Sequence, residues 1–240
     1  FQYNLVIIPP AESLRSIAPC GGCNRRSVIK RAYHALLRFK FIEKVRLEAM
    51  LLDKYLPRID FDSYEDFKEN YKVIVPENFN FGFDIVDAWA EQEPEKMALV
   101  WCDDHGGEHK FTFTEISRLS NRAANFFESL GIHKGSVVML ILRRRWEYWV
   151  CAAALHKIGA VLIPGSLQLT KKDIVYRANA AKISAVVCVN DPFVIEQVEQ
   201  STPEAPSLQH KILVAEKRDG WLDFEDEIAK FPDTYARPQG

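Results

Sequence analysis

Two short runs in the sequence carry side chains suited to chemistry: Cys20-Gly-Gly-Cys23 and Arg143-Arg144-Arg145. Two closely spaced cysteines are half of a zinc site or a dithiol redox pair. A zinc ribbon needs a second pair, and none follows at a useful distance. A redox pair sits where a strand opens into a helix. The simpler reading is a glycine turn with two incidental thiols. The three arginines follow an apolar run, at the kind of strand end where open α/β sheets bind ligands. They can hold a phosphate or form a solvated strand end. His34, His105, His109, His133, His156 and His210 are scattered without metal spacing. No metal site and no catalytic residue are therefore assigned. G-x-G-x-x-G, Gly-Lys, H-E-x-x-H and G-x-S-x-G are all missing, which excludes the common dinucleotide, Walker-type, zincin and serine-hydrolase motifs.

The elements that must position these residues are legible from periodicity. Asp84 to Glu93 reads as a helix, with Ile85, Val86, Ala88 and Trp89 on one face and Pro94 ending it. Met97–Cys102 and Lys110–Thr114 read as two strands around the turn Asp103–Gly107. Thr114 then reads as the N-cap of a helix carrying Ile116, Leu119, Ala123, Phe126, Phe127 and Leu130, closed by Gly131. Downstream, strands are expected at Val137–Leu142, Ala160–Ile163 (stopped by Pro164), Ala185–Val189 and Lys211–Val214. Helices are expected at Trp146–Ile158, Lys171–Ala181, Pro192–Gln200 and Leu222–Lys230. This alternation predicts an α/β fold: a helix-flanked, mostly parallel sheet, with the strand pair Met97–Thr114 packed at its edge.

Composition sets the class. Apolar residues make up 48% and aromatics 12%, too many for a disordered chain. A net charge of −2 argues against a nucleic-acid partner. No run is long and apolar enough for a membrane span. The few, scattered cysteines suit a reducing compartment, and the expected location is cytoplasmic. Residues 1–49 differ from the rest, with nine Lys/Arg against three acids. They also carry a helical pattern over Ser27–Leu52. The change of character at Met50 makes it a candidate translation start, with 1–49 a basic leader upstream. The expected organisation is that leader, a helical lead-in over 50–75, and one α/β region over 76–240.

Beyond this, the sequence resembles the medium-chain acyl-CoA synthetases of the adenylate-forming (AMP-binding) superfamily. The resemblance is carried by Asn78–Ala90, Ala98–Trp101, Phe113–Leu130 with Ser120-Asn121-Arg122-Ala123-Ala124-Asn125, and Gly135–Val138. It continues through Trp146-Glu147-Tyr148-Trp149, Ile158-Gly159-Ala160, Ile163–Leu169, Asp173–Arg177 and Asp219–Phe224. It implies an ATP-dependent acid–thiol ligase. Such an enzyme uses Mg2+ and ATP to turn a carboxylic or fatty acid into an acyl-adenylate, then transfers the acyl group to coenzyme A. The family's phosphate loop is expected just past the segment ending at Gly240. The chain thus reads as an N-terminal fragment of such a ligase, inactive by itself, holding no cofactor tightly and self-associating through uncovered apolar surface.

Two other readings stay open. One is a stand-alone, non-catalytic binding or scaffold module built on the same subdomain. The other is the adenylation domain of a peptide synthetase, although Pro164-Gly165-Ser166-Leu167-Gln168 resembles the CoA ligases instead. The resemblance places one cofactor-binding residue, Gln168, at a position that contacts coenzyme A. The competing role for Gln168 is to cap the helix that begins near Lys171.

Overall fold

The computed structural model describes Leu51 and residues 53–239. Cys20, Cys23, His34, the basic leader and nearly all of the Ser27–Leu52 pattern lie outside the described residues. The chain divides into two compact units between Ile74 and Val75. In the first, α1 (Tyr64–Asn70) is capped by Ser63, whose hydroxyl accepts from the Asp66 N–H at 3.1 Å.

The second unit begins with a π-helical turn, Gly82–Asp87, that runs on into α2 (Ala88–Gln92). Then follow β1 (Met97–Cys102), β2 (Glu108–Thr112), α3 (Phe113–Ser129), β3 (Val137–Ile141), α4 (Glu147–Ile158), β4 (Val161–Pro164), α5 (Lys171–Ala181) and β5 (Ile183–Val189). After them come α6 (Pro192–Ser201), β6 (His210–Val214), β7 (Leu222–Asp223) and α7 (Phe224–Ala229). β3 to β7 form one sheet in the order β4-β3-β5-β6-β7, every neighbouring pair parallel. The expected helix-flanked parallel sheet is present.

Its strands are apolar on both faces because both are covered. Side chains alternate across a strand. Val138 and Leu140 of β3, Val187 of β5 and Ile212 of β6 therefore join one core with Phe126, Phe127, Leu155 and Phe224 from α3, α4 and α7. The intervening Met139, Ile141, Val186, Cys188 and Leu213 join the other, with Ile174, Ala178, Val194 and Val198 from α5 and α6.

Four expectations need correcting. The α3 cap is Thr112, not Thr114. Thr112 and Glu115 exchange bonds, N–H to carboxylate at 2.7 Å and N–H to hydroxyl at 3.2 Å, while Thr114 donates to the Pro94 carbonyl. The reciprocal Thr-x-x-Glu box outweighs the apolar periodicity that pointed further on. Pro164 lies inside β4, opposite Leu140, because an edge strand needs no donor on its outer side. Leu222 and Asp223 form an edge strand beside β6, and Asp223 then caps α7. The β1–β2 hairpin is a separate two-stranded sheet. It does not extend the parallel sheet's edge, but rests through Leu99 and Phe111 on the core that carries α3 and α4.

Polar contacts bind the start of this unit to its end. Asn121 and Asn125 of α3 donate to the carbonyls of Pro232, Asp233 and Thr234 at 2.9–3.2 Å. Arg237 forks onto Asp84 at 2.7 and 2.9 Å and also reaches the Asn78 carbonyl. Beneath lies a buried lysine. The Lys157 ammonium donates to Asp87 at 2.7 Å and to the Asn121 amide oxygen at 2.6 Å, and Ser117 donates to the same Asp87 oxygen.

Candidate functional site

In sequence order within the sheet, β3 is first, β4 second and β5 third, so the strand order reads 2-1-3-4-5. The chain reverses direction across the sheet between β3 and β5. Crevices outside the carboxyl ends of strands at such a point are where open α/β sheets bind ligands. Two hollows open here and share Arg143 and Leu167. One, of about 560 Å³, lies between the ends of β3 and β4 and includes Tyr148, Gly165 and Gln168. The other, of about 440 Å³, lies over the ends of β3, β5 and β6, beneath the hairpin turn.

The arginine run divides by role. Arg145 is committed to structure: it forks onto Glu147, whose side chain is wholly buried in the first turn of α4, and its guanidinium lies 5.2 Å from the Trp101 ring centre. That bond raises the Arg145 pKa further above its ordinary value. The Trp101 indole N–H donates to the Arg144 carbonyl at 2.6 Å, pinning the hairpin onto the turn. Arg143 and Arg144 are exposed and make no ion pair among the described residues. Arg143 has φ 51°, left-handed backbone that residues other than glycine adopt rarely.

Across the same strand ends, Glu225 accepts from the Ala215 N–H at 2.9 Å, while its other oxygen is buried without a partner. Burial pushes its carboxyl pKa up, and the charge of Glu147 adds to the rise. Nothing in the sequence pairs Glu225 with Ala215, since the contact depends on β6 and α7 folding together.

Gln168 lies where the β4 strand has turned outward. Gly165 makes that turn possible: its N–H donates to the Leu140 carbonyl at 2.8 Å, and a Cβ there would meet Ile141 at 2.8 Å. The Gln168 N–H donates to the Ser166 hydroxyl at 3.2 Å. Its side-chain amide is exposed and has no hydrogen bond among the described residues. The cap of α5 belongs to Thr170, whose N–H and hydroxyl both donate to Asp173 at 3.1 and 2.7 Å. Lys171 at the start of that helix donates to Gln197. Capping is therefore not the role of Gln168. An uncommitted amide beside closely approaching backbone can donate to and accept from the amides of an extended ligand. Among the described residues no three His, Cys, Asp or Glu side chains gather as metal ligands.

Residues 86–238 match the family of AMP-binding enzymes. The chain is 34% identical over 184 residues to the mitochondrial acyl-coenzyme A synthetase ACSM3 of Pongo abelii, covering 74% of this chain and 31% of that protein. It is 38% identical over 159 residues to ACSM5 of Mus musculus, also mitochondrial, covering 63% of this chain and 27% of that protein. The chain thus spans under a third of the length of these relatives. In fold it is similar to the crystal structure of the anthranilate CoA ligase AuaEII in complex with anthranoyl-AMP. The TM-score is 0.59 at 21% identity, covering 69% of this chain and 30% of that one.

Proposed function

The chain belongs to the AMP-binding enzyme family, and from that membership we propose that it forms part of an acyl-CoA synthetase and supplies one wall of the coenzyme A cleft. In the proposed reaction a carboxylate oxygen attacks the α-phosphorus of ATP, and pyrophosphate leaves. The thiolate of coenzyme A then attacks the acyl carbon, and AMP leaves. The residues described here bind and orient: Gln168 offers a donor and an acceptor to the pantetheine amides, and Gly165 lets the arm approach the strand ends. The observation that carries this reading is the uncommitted Gln168 amide in a cleft at the switch point of the sheet, in a chain similar to acyl-coenzyme A synthetases. The free thiols of Cys151 and Cys188, both buried, suit a reducing compartment.

The test separates the half-reactions in a ligase containing this chain. Gln168→Ala should weaken coenzyme A binding by about 0.5–1.5 kcal/mol, the net range for one neutral hydrogen bond, and leave ATP–pyrophosphate exchange unchanged. Equal slowing of both half-reactions would make Gln168 a structural residue and defeat the assignment. The 240-residue chain alone is expected to release no pyrophosphate from ATP and a fatty acid, since each donor around a developing charge is worth about 2.7–4 kcal/mol and residues 1–240 contain no Ser/Thr/Gly-rich phosphate loop. Release above a protein-free blank would overturn that.

A further inference from the structure

We propose that Arg143 is the phosphate anchor of the Gln168 cleft and selects the phosphorylated coenzyme over its bare pantetheine arm. The proposal rests on the reading of the cleft as a coenzyme A site.

Arg143 is the one charged side chain among the described residues that line the cleft. Tyr148, Ser166 and Gln168 supply polar groups, the remaining lining is apolar or glycine, and no carboxylate faces in. A guanidinium left without an acid in a cleft is a site for an anionic ligand, because its fork of N–H donors matches phosphate oxygens. Its neighbour shows the contrast: Arg145, two residues on, is spent on Glu147.

The backbone explains how Arg143 came to be set apart. Trp101 fixes the carbonyl of Arg144, and Glu147 fixes the side chain of Arg145. Arg143 must then absorb the reversal at the end of β3, and does so at φ 51°. Strain held in place by its surroundings clusters at sites that bind ligands.

The second hollow, which Arg143 also borders, contains Asp103, Asp104, Asp191 and Glu216. Three of these are committed: Asp103 to the His105 and Gly107 amides, Asp191 to the Phe193 and Val194 amides, and Glu216 to Asn190. Arg144 and Arg145 border this hollow too, but Arg145 is paired with Glu147, so four carboxylates stand against Arg144 alone and their excess repels an anion from that side. The phosphates therefore belong on the Gln168 side of Arg143. Coenzyme A has the matching layout, with two amides in its arm followed by a diphosphate and a ribose phosphate. Gln168 and Arg143 on one wall would read the arm and the charge in turn.

The experiment is an equilibrium titration of a ligase containing this chain with coenzyme A, pantetheine, adenosine 3′,5′-bisphosphate and ATP, followed by calorimetry. Arg143→Gln should weaken coenzyme A and the bisphosphate about fivefold at low salt and leave pantetheine unchanged, the difference shrinking as salt is added. Arg143→Lys should recover part of the loss as a point charge, and Arg144→Gln should bind like the wild type. Equal loss for coenzyme A and pantetheine would overturn the proposal, as would a loss confined to ATP. If Arg143→Gln changes nothing while Gln168→Ala weakens pantetheine, the anchor is wrong and the cleft reading stands. If the ligase binds coenzyme A and pantetheine but Gln168→Ala weakens neither, the cleft reading falls and the anchor with it.

Discussion

Replacing Lys157 with methionine should destabilise the α/β unit by about 3–5 kcal/mol, the cost of breaking a buried ion pair from one side. The Lys157 side chain is fully buried, and its ammonium is the common partner of Asp87 and Asn121. Methionine fills similar space but donates nothing. Asp87, four-fifths buried, would keep only the Ser117 hydroxyl, and the Asn121 oxygen would lose its donor. Urea unfolding should show a lower midpoint with an unchanged slope. Adding Asp87→Leu to Lys157→Met should recover much of the loss, because an apolar pair removes the orphaned charge. A loss under about 1 kcal/mol for the single variant would mean that the site admits water, since an exposed ion pair is worth that little. The pH dependence has a definite sign. Burial is the largest influence on Lys157 and pulls its pKa below the ordinary 10.5, with Asp87 opposing. Between the folded and unfolded pKa values the unfolded chain holds more protons, so this residue makes stability rise with pH in the window just below 10.5. The methionine variant should lack that rise.

Phe127→Ala should cost about 3–5 kcal/mol, the usual range for emptying a buried aromatic position. Phe127 has no exposed surface, and its ring centre lies 5.6 Å from that of Phe126 and 6.4 Å from that of Phe224. Alanine would leave a void that α3, α7 and the sheet cannot all close upon. At about 2–4 °C per kcal/mol for a unit of this size, the melting temperature should fall by roughly 10 °C. Phe193→Ala is the control, because Phe193 is 45% exposed, and it should stay within about 0.5 kcal/mol. Comparable losses from both would contradict the core described above.

The sheet was legible because its strands are short unbroken apolar runs and its helices end on recognisable stops. Gly159 is one: it sits at φ 80° just past α4, where the sequence places the helix end. Boundaries were less legible wherever two local signals competed. The Thr112–Glu115 box straddled the end of a predicted strand, and Leu222-Asp223 is too short to show any alternation. The position of Gln168 could be read only through the family resemblance, and its freedom only from the structure, which gives the cap to Thr170. The left-handed turn at Arg143 was illegible because it results from a hairpin tryptophan and a helix glutamate acting together. Lys157 had a faint signal, a lone lysine near the end of an apolar helix, but its partners come from 36 and 70 residues away. Asn121 and Asn125 appeared within the resemblance without a role. Their amides turn out to hold the carbonyls of residues 232–234.

The fork of Arg237 on Asp84 spans 153 positions of the chain. Mechanically it is a latch. Tension applied at residues 75 and 239 would run through this pair and the Asn121 and Asn125 bonds, bypassing the ladders between strands. Hydrogen bonds of this kind would let go before any strand is drawn from the sheet. The crevice at the strand ends is thereby shielded from whatever pulls on the unit until those bonds part.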